Sequence, residues 1–377
     1  MKIYARYGLS LTILGIASVS HAQGSATLYG QAVNGLTYTS NAGGHSNYQV
    51  SNLLSGSRWG LLGSEDFGNG LKAIFDVESG FDLSSGKMLQ NSREFGRQAF
   101  VGLSDNTFGT VTLGRQYQVS YLAPLALLSL GGGNLAVHPY DNDNLNNAFR
   151  INNSVKFESV PYRGFRFGGL YGFSNAAGKF ADSRVYSASM SYASGGFTIA
   201  SNYLQLNNGG SATNPGGAVA TGDSTFYAGR QLTWGAGANY ALGAALVGFV
   251  FTQTQLSNAT AIGSSAAGTS GNLSLTNRSA RFTNYELNAS YRLDPAFSVG
   301  TAYTFTDARL NGASPKYHHV TVQADYALSK RTDVYAIAAF QHVSNTGSSG
   351  ITADIVGVSR SSTSSQVVAT IGIRHRF

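Results

Sequence analysis

The sequence of 377 residues contains no cysteine and little charge. Without cysteine, disulfides, zinc–thiolate sites and cysteine nucleophiles are excluded. Charged residues make up 11% of the chain, against roughly 25% in soluble domains, and glycine contributes 47 residues, well above its average share of roughly 7%. The mean hydropathy is −0.07, so large hydrophobic residues have not replaced the missing charge. This composition argues against a coiled coil, a helical bundle and a charged disordered chain.

Long hydrophobic runs are also missing after the first residues. The longest uncharged apolar run there, residues 240–251, is too short and too rich in glycine for a membrane-spanning helix, which needs about 20 apolar residues. Only six residues are proline, and all lie in stretches that we predict to be connections, as a sheet demands of a residue without an N–H group. No clustered run of lysine and arginine indicates nucleic-acid binding.

The first 22 residues predict export of the chain. Lys2 and Arg6 form a positive segment, a short apolar stretch follows, and Ser20-His21-Ala22 provides small residues around a cleavage site. Together these features are typical of a secretory signal peptide. We therefore expect a signal peptide at residues 1–22 and a single mature domain at 23–377. The mature chain keeps 23 basic and 18 acidic residues, a net charge of +5.

In the mature chain, apolar and polar residues alternate with a period of two almost everywhere, and no long stripe has a helical period. In the clearest segment, residues 285–293, tyrosine, leucine and alanine share one face while polar residues such as Glu286 and Asn288 share the other. Such segments run about 9–12 residues, which matches the roughly 9–11 that a tilted strand needs to cross a bilayer. Aromatic residues lie towards both ends of the apolar faces, as interfacial girdles require.

Short and long connections alternate along the chain. Seven short turns and eight long stretches rich in glycine, serine and asparagine join sixteen predicted strands. The long stretches lie near residues 40–55, 83–95, 118–148, 174–183, 207–225, 257–280, 308–316 and 343–364. We therefore predict an all-β transmembrane antiparallel up-and-down barrel with short periplasmic turns and long extracellular loops. At this size the interior is too wide for side chains to fill, so it holds water and forms a pore.

Several motifs resemble those of the general porins of beta-proteobacteria, and the resemblance extends over the whole mature chain. They are GSRWG at 56–60, GSEDFGNGLKA at 63–73, RQAFVGL at 97–103, RINNSV at 150–155, LSKRT at 328–332 and GIRHRF at 372–377. The resemblance implies a homotrimeric diffusion channel of the outer membrane, surrounded by lipid and lipopolysaccharide, that passes ions and small hydrophilic solutes. It implies no cofactor and no enzymatic activity. It also implies that the barrel-assembly machinery reads the terminal Phe377.

The resemblance further implies that the third long loop folds into the lumen and narrows it. The loop at residues 118–147 is the candidate, because so long a connection without its own fold is usually functional. By motif, the arginine cluster of the family falls on Arg58, Arg97 and Arg150. The alternation of residues places Arg58 and Arg150 on the strand face opposite their apolar neighbours, which supports an inward position. It supports an inward position less well for Arg97. Alternatively, the three arginines are ordinary solvated charges of the lumen.

Asp141 and Asp143 are the candidate acids on this loop that oppose the arginine cluster. Facing charges of opposite sign in a narrow lumen select solutes by size and charge. Three arginines against two acids, in a chain of net charge +5, predict a mild preference for anions. The two aspartates could equally be turn formers in a loop rich in asparagine and aspartate.

Arg115 shares its face with apolar residues, which predicts a charge on the outside of the barrel. Near the middle of a bilayer such a charge costs about 2–4 kcal/mol. We expect burial against a neighbouring subunit to remove this cost, with Glu94 of the second long loop as the partner. Alternatively, Arg115 is an interfacial arginine that reaches lipid phosphates.

Three rival functions remain to be weighed. A substrate-selective outer-membrane channel is the main alternative, and it would use an aromatic track or a dense ring of one sign along the lumen. An outer-membrane phospholipase is suggested only by His342-Val343-Ser344-Asn345, and Thr346 interrupts that motif. A structural sandwich or adhesin would have strands too short to span a membrane.

The histidines do not have the spacing of a metal site, since His318 and His319 are adjacent and point to opposite faces of a strand.

Overall fold

The protein was analysed as a computed structural model that describes residues 24–119, 125, 129–130, 135–146, 149–211, 213–263 and 272–377. The predicted signal peptide, residues 1–22, lies outside the described residues. So do parts of the third long loop. Among the described residues, no helix is both long enough and apolar enough to cross a membrane.

The described residues form 18 β-strands in one antiparallel sheet. In chain order the strands are β1 (Gly24–Ala42), β2 (His45–Ser51), β3 (Arg58–Asp66), β4 (Leu71–Gly80), β5 (Gln98–Asp105), β6 (Gly109–Gln116), β7 (Ile151–Ser159), β8 (Phe165–Gly172), β9 (Val185–Ser194), β10 (Phe197–Gly209), β11 (Phe226–Leu242), β12 (Ala245–Ile262), β13 (Leu273–Ser274), β14 (Ser279–Arg292), β15 (Phe297–Leu310), β16 (Lys316–Ala327), β17 (Thr332–Ser344) and β18 (Ser365–Arg376). In the described part of the connection between β6 and β7, residues 139–141 form a short 3-10 helix, Pro139–Asp141.

The sheet closes on itself as a barrel with 16 strand positions. β2 and β3 pair in succession with β1, and β13 and β14 pair in succession with β12, so each of these couples occupies one position in the wall. The pairing of β1 with β18 closes the barrel. The predicted antiparallel 16-stranded barrel is therefore confirmed.

The strands differ from the prediction chiefly in length. β1, β11 and β12 contain 19, 17 and 18 residues, well beyond the 9–12 expected, because they continue past the membrane on the side of the long connections. The stretch near 40–55, predicted as a loop, is largely a hairpin of β1 and β2.

Every proline in the described part of the chain lies outside the strands, as expected.

The two faces of the wall carry different side chains. On β14, Leu287 is 60% exposed and Tyr285 is 42% exposed, whereas Asn284 and Glu286 between and beside them are fully buried. The exposed apolar residues face outward, where the bilayer covers them, and the polar residues face inward. The alternation read from the sequence therefore assigns these faces correctly.

Several long connections fold into the barrel. We name them L2 (residues 81–97), L3 (117–150), L5 (210–225) and L8 (345–364). All four apolar clusters of buried residues include residues of L3, and two of them also include residues of L8. In one cluster, Tyr140 of L3 and Ile351 of L8 pack against Phe282 of β14 and Tyr317 of β16. The third long loop thus lies inside the lumen, as the resemblance implied.

Candidate functional site

Two of the predicted arginines share one carboxylate on the barrel wall. The Nε atom of Arg58, at the start of β3, lies 3.2 Å from Oε2 of Glu78. The Nε atom of Arg97, at the end of L2, donates to Oε1 of the same carboxylate at 2.6 Å. Glu78 belongs to β4, between the two arginines in the wall, and its side chain is only 5% exposed. A carboxylate held between two guanidinium groups fixes both of them in position.

Tyr117 links the second arginine to the third. Its hydroxyl oxygen accepts hydrogen bonds from Nη2 of Arg97 at 2.6 Å and from Nη2 of Arg150 at 3.3 Å. Its ring lies beneath both guanidinium groups, with centroid distances of 5.9 Å and 4.9 Å, in cation–π geometry. Arg58, Glu78, Arg97, Tyr117 and Arg150 therefore form one continuous group, which we call the arginine ladder.

The members of the arginine ladder are exposed to different degrees. The side chain of Arg58 is 27% exposed and that of Arg97 is 11% exposed. Arg150 is buried. Arg58 is therefore the member of the ladder that water and solutes in the lumen reach most easily. With three arginines and one glutamate, the ladder keeps a net positive charge.

On the other side of the lumen, L3 is held against β12 and β14 by a buried histidine. Nδ1 of His138 lies 2.6 Å from Oδ2 of Asp143, and its Nε2 lies 3.0 Å from Oε2 of Glu286 on β14. All three side chains are at most 2% exposed. The hydroxyl group of Thr252 on β12 donates to the same Asp143 oxygen. Glu286 also accepts hydrogen bonds from the Ser129 hydroxyl and from the backbone N–H of residue 130.

The surroundings of His138 favour its charged form. Burial alone would lower its pKa, but the carboxylates of Asp143 and Glu286 outweigh this and raise the pKa of His138 to about 10. The imidazolium then bridges one acid of the loop and one acid of the wall. We call His138, Asp143 and Glu286 the L3 clamp. No group of three or more His, Cys, Asp or Glu suited to a metal ion occurs in the described part of the chain.

The structure places the two predicted loop acids away from open solvent. Asp143 belongs to the L3 clamp and is 1% exposed. Asp141 is equally buried, and its Oδ1 accepts a hydrogen bond from the backbone N–H of Asn146 at 3.0 Å. Asp143 therefore anchors the loop, and Asp141 shapes its turn, the alternative role weighed from the sequence.

A family model provides the deciding comparison. Residues 9–346 match the model of a family described as Gram-negative porin. The chain belongs to the Gram-negative porin family. The porin is 28% identical to an outer membrane porin protein of Bordetella pertussis over 87% of this chain and 91% of the relative. It is accordingly an outer-membrane channel.

Solved structures agree with the fold of the porin. An anion-selective porin from Comamonas acidovorans superposes with a TM-score of 0.73 at 24% identity, covering 94% of this chain and all of that one. A trimeric form of OmpT from Vibrio cholerae superposes with a TM-score of 0.64 at 16% identity, covering 94% of this chain and 99% of that one. At these identities the likeness concerns the fold.

The structure gives Arg115 of the porin a different partner from the expected one. Its guanidinium group donates to Asp223 of L5, from Nη1 at 3.0 Å and Nη2 at 3.3 Å, and to Asn152. Arg93 of L2 donates to the same carboxylate at 2.8 Å. Glu94, the expected partner, is exposed and has no hydrogen bond or ion pair within the described residues. The charge of Arg115 is thus balanced within its own chain, which removes the electrostatic reason for a subunit contact.

Sequence reasoning about the porin missed Glu78, Tyr117 and His138. Glu78 and Tyr117 share no motif with the arginines, and only the register of the strands from β3 to β7 brings them together. His138 lies in the predicted third loop, but nothing in the sequence indicates its distance to Glu286, which lies 148 positions further along the chain. The strict alternation on β14 does indicate that Glu286 faces inward, and this feature of the sequence could have identified it as a site residue.

Proposed function

We propose that the arginine ladder forms the positive side of the constriction and gives the channel a mild preference for anions. The observation that carries this proposal is that three guanidinium groups, held by Glu78 and Tyr117, gather on one side of the lumen, where β3, the end of L2 and the two ends of L3 meet. Charges fixed in a narrow aqueous passage attract ions of opposite sign and repel those of the same sign. The Comamonas acidovorans porin, which has a similar fold, is anion-selective, and this agrees with the proposal.

The acids on the opposite side of the constriction contribute less than the sequence suggested. Asp143 is engaged with the charged imidazole of His138, so its charge is largely compensated where it lies. Glu78 compensates one of the three arginines in the same way. The remaining imbalance is small and positive. This is the basis for expecting a mild preference and not a strong one.

Reversal potentials in planar bilayers under a salt gradient test the proposal. We expect the wild-type channel to favour anions and Arg58→Ala to shift the reversal potential towards cations, because Arg58 is the most exposed arginine of the ladder. Arg163→Ala is the matched control, since this arginine lies in the periplasmic turn between β7 and β8, outside the constriction. A wild-type channel that favours cations, or an Arg58→Ala channel with unchanged selectivity, contradicts the assignment.

We also propose that the porin is a homotrimer without catalytic activity. The trimeric OmpT structure supports the assembly, and the resemblance to channels supports the absence of catalysis. His342 donates to, or accepts from, the hydroxyl group of Ser365 at 2.8 Å, which agrees with a structural role for the motif that suggested a phospholipase. Conductance steps that occur in threes, and no release of fatty acid from phospholipid vesicles, are the expected results.

Recognition of Phe377 by the barrel-assembly machinery and contact with lipopolysaccharide complete the proposed partners. The terminal residue pairs with Gly30 of β1 through two backbone hydrogen bonds of 3.1 Å, and 43% of Phe377 is exposed. An outward aromatic ring at the seam of the barrel is accessible to a partner during closure. Deletion of Phe377 is expected to lower the yield of folded porin in the outer membrane, with the purified protein still able to refold in detergent.

A further inference from the structure

Three apolar side chains face the lumen next to the arginine ladder, on its periplasmic side. They are Leu62 of β3, Ile74 of β4 and Phe100 of β5. Leu62 lies on the same strand face as Arg58, and Ile74 lies on the same face as Glu78. Leu62 is 42% exposed, and none of the three belongs to a buried apolar cluster of the described residues. An exposed apolar patch on an otherwise polar wall indicates a contact surface.

The register of the strands brings these side chains together. Leu62 and Phe100 are the pairing partners of Asp76 on its two sides, and Ile74 is the next residue of β4 on the same face. Paired residues of neighbouring strands point to the same side of the sheet. Neighbouring strands lie about 4.8 Å apart and successive inward residues about 7 Å apart, so the three side chains form one patch. We call Leu62, Ile74 and Phe100, together with the ring of Tyr29, the apolar shelf.

The ring of Tyr29 joins the apolar shelf to the arginine ladder. It lies against Gly60 of β3, the inward position between Arg58 and Leu62, where a Cβ atom would lie 2.8 Å from two carbons of the ring. With glycine at this position, the tyrosine ring forms the surface of the wall. The guanidinium group of Arg58 reaches Glu78, which pairs with this glycine, so the positive charge lies at the level of the ring.

Asp76 lies in the middle of the apolar shelf, and its carboxylate is held by neighbouring side chains. Its Oδ1 accepts a hydrogen bond from the Tyr29 hydroxyl group at 2.8 Å, and its Oδ2 accepts one from Nε2 of Gln98 at 3.1 Å. Both of these donors are neutral, so neither neutralises the carboxylate. A negative group placed on the shelf would therefore meet a carboxylate of the same sign, whereas an uncharged ring would not.

From this arrangement we propose that, among small anions, the channel favours amphipathic organic monoanions, which are carboxylates with one charge and a small apolar body such as a phenyl ring. The carboxylate binds Arg58, and the apolar body lies on the apolar shelf about 7 Å further towards the periplasm. Apolar surface removed from water gives such a solute an advantage over a small anion of the same charge. Asp76 repels a second carboxylate at that distance, so dianions lose the advantage. The inference rests on the proposed positive constriction and adds the class of solute.

Block of the chloride current through single channels in planar bilayers tests the preference. The probes are 3-phenylpropanoate, propanoate and 3-(4-carboxyphenyl)propanoate, each added to both sides. We expect half block by 3-phenylpropanoate at a concentration at least about tenfold lower than for propanoate, because only the former has a ring for the shelf. The dianion, which has the same ring and a second carboxylate at its far end, is expected to lose this gain. Equal block by the two monoanions overturns the proposal.

A pair of leucine variants assigns the effect of the ring to the apolar shelf. Leu62→Gln keeps the approximate size of the side chain and makes it polar, so we expect the difference between the two monoanions to be lost. Leu83→Gln is the matched control, since Leu83 is 44% exposed and lies on L2, away from the shelf. It is expected to keep the difference. Conductance in chloride without probe shows that both variants form channels, and a difference that survives Leu62→Gln overturns the proposal.

The role of Asp76 is tested separately with the dianion. Asp76→Asn keeps the approximate shape of the side chain and removes its charge. We expect the dianion to block this variant at nearly the same concentration as 3-phenylpropanoate. A disadvantage of the dianion that is unchanged in Asp76→Asn overturns the assignment of this discrimination to Asp76.

The reversal potential in chloride distinguishes a failure of this inference from a failure of the proposed function. A wild-type channel that favours anions but does not distinguish the two monoanions overturns the role of the apolar shelf alone. A wild-type channel that favours cations overturns the proposed positive constriction and the inference that rests on it.

Discussion

At the scale of single residues, the selectivity that we propose for the porin depends on how much charge each arginine retains. Glu78 contacts both Arg58 and Arg97, so it holds them in place and also offsets part of their field. Tyr117 positions Arg97 and Arg150 without adding a charge. The same three arginines would therefore produce a stronger anion preference if the glutamate were neutral.

Neutralising the carboxylate tests this balance. We expect Glu78→Gln to increase the anion preference of the channel, the opposite direction to Arg58→Ala, because the amide keeps the shape of the side chain and removes its charge. The measurement is again the reversal potential under a salt gradient. Glu94→Gln serves as the control, since Glu94 is exposed on L2 and contacts no arginine of the ladder. A decrease in anion preference for Glu78→Gln would show that positioning outweighs charge.

At the scale of elements, the long connections decide how much of the lumen stays open. L3 is held by the L3 clamp and by the ring of Tyr140, which lies 5.9 Å from Phe282 and 6.2 Å from Tyr317. L8 is held by two glutamine side chains of the wall. The amide oxygen of Gln341 on β17 accepts a hydrogen bond from a backbone N–H group of L8 at 2.6 Å, and the amide oxygen of Gln366 on β18 accepts another at 3.0 Å. Both connections are thus held inside the lumen and occupy space that water would otherwise fill.

L8 contains a buried aspartate, Asp354, whose surroundings favour its protonated form. The carboxylate of Asp354 is 1% exposed and has no hydrogen-bond partner among the described residues. Tyr140 of L3, Tyr317 of β16 and Arg360 of L8 interact with it electrostatically. Burial raises the pKa of Asp354 to about 7, although Arg360 opposes this. When L8 leaves the wall, we expect the pKa to return towards its usual value of 3.8.

Acid is therefore expected to favour the packed form of L8. The packed form binds the proton more tightly, so its stability is greatest below pH 4 and declines as the pH rises through 7, by a few kcal/mol at most. Amide hydrogen exchange in residues 351–358, corrected for the intrinsic pH effect, is expected to be slower at pH 5 than at pH 8. Asp354→Asn is expected to abolish this difference and Asp182→Asn, in the exposed connection between β8 and β9, to retain it. Faster exchange at pH 5 in the wild type would refute the assignment.

At the scale of the whole molecule, closure of the barrel brings the chain ends together. Gly30 of β1 contacts the terminal residue, and a Cβ atom at this glycine would lie 2.5 Å from the carbonyl oxygen of Arg58 and 2.6 Å from the ring of Phe377. Neither the backbone of β3 nor the last residue of the chain can move far without opening the seam. The close approach of β1, β3 and the chain terminus therefore requires glycine here.

Adding one methyl group tests the seam. We expect Gly30→Ala to destabilise the folded porin by about 1–3 kcal/mol, because the added atom overlaps the backbone. The measurement is the urea concentration at which the heat-resistant folded band in detergent is half lost. Gly24→Ala is the control, since no atom of the other described residues, chain neighbours aside, lies within 4 Å of a Cβ added at that glycine. Equal stability of the two variants would show that the seam relaxes.

A second contact between distant parts of the chain, centred on Asp223, connects L2 and L5 to the barrel wall. Asp223 accepts hydrogen bonds from Arg93 and Arg115, and its side chain is 4% exposed. We expect Asp223→Asn to destabilise the porin by about 3–5 kcal/mol, because Arg115 would remain buried without a counter-charge. The same urea midpoint measures the effect, with Glu65→Gln, an exposed acid near the end of β3, as the control. A loss below about 1 kcal/mol would indicate that water or a neighbouring subunit reaches Arg115.

The pattern of residues along the chain was enough to predict the barrel, its 16 strand positions and the face of most wall residues. It did so because alternation with a period of two records which side of a strand meets lipid, and this record is local. By motif, the resemblance assigned the arginine cluster to Arg58, Arg97 and Arg150, and alternation supported an inward position for Arg58 and Arg150 more than for Arg97. The lengths of β1, β11 and β12 were underestimated, because the strands continue where no bilayer imposes an apolar face.

Which charges meet depends on how the folded barrel brings distant segments together. The partners of the key groups are far apart along the chain, with 148 positions between His138 and Glu286 and 108 between Arg115 and Asp223. Asp143 contacts the wall of β12 and β14, although its position in the loop is equally compatible with facing the arginines. Such pairs exist only once the barrel has closed and the long connections have folded into it, and no local pattern in the sequence records that arrangement.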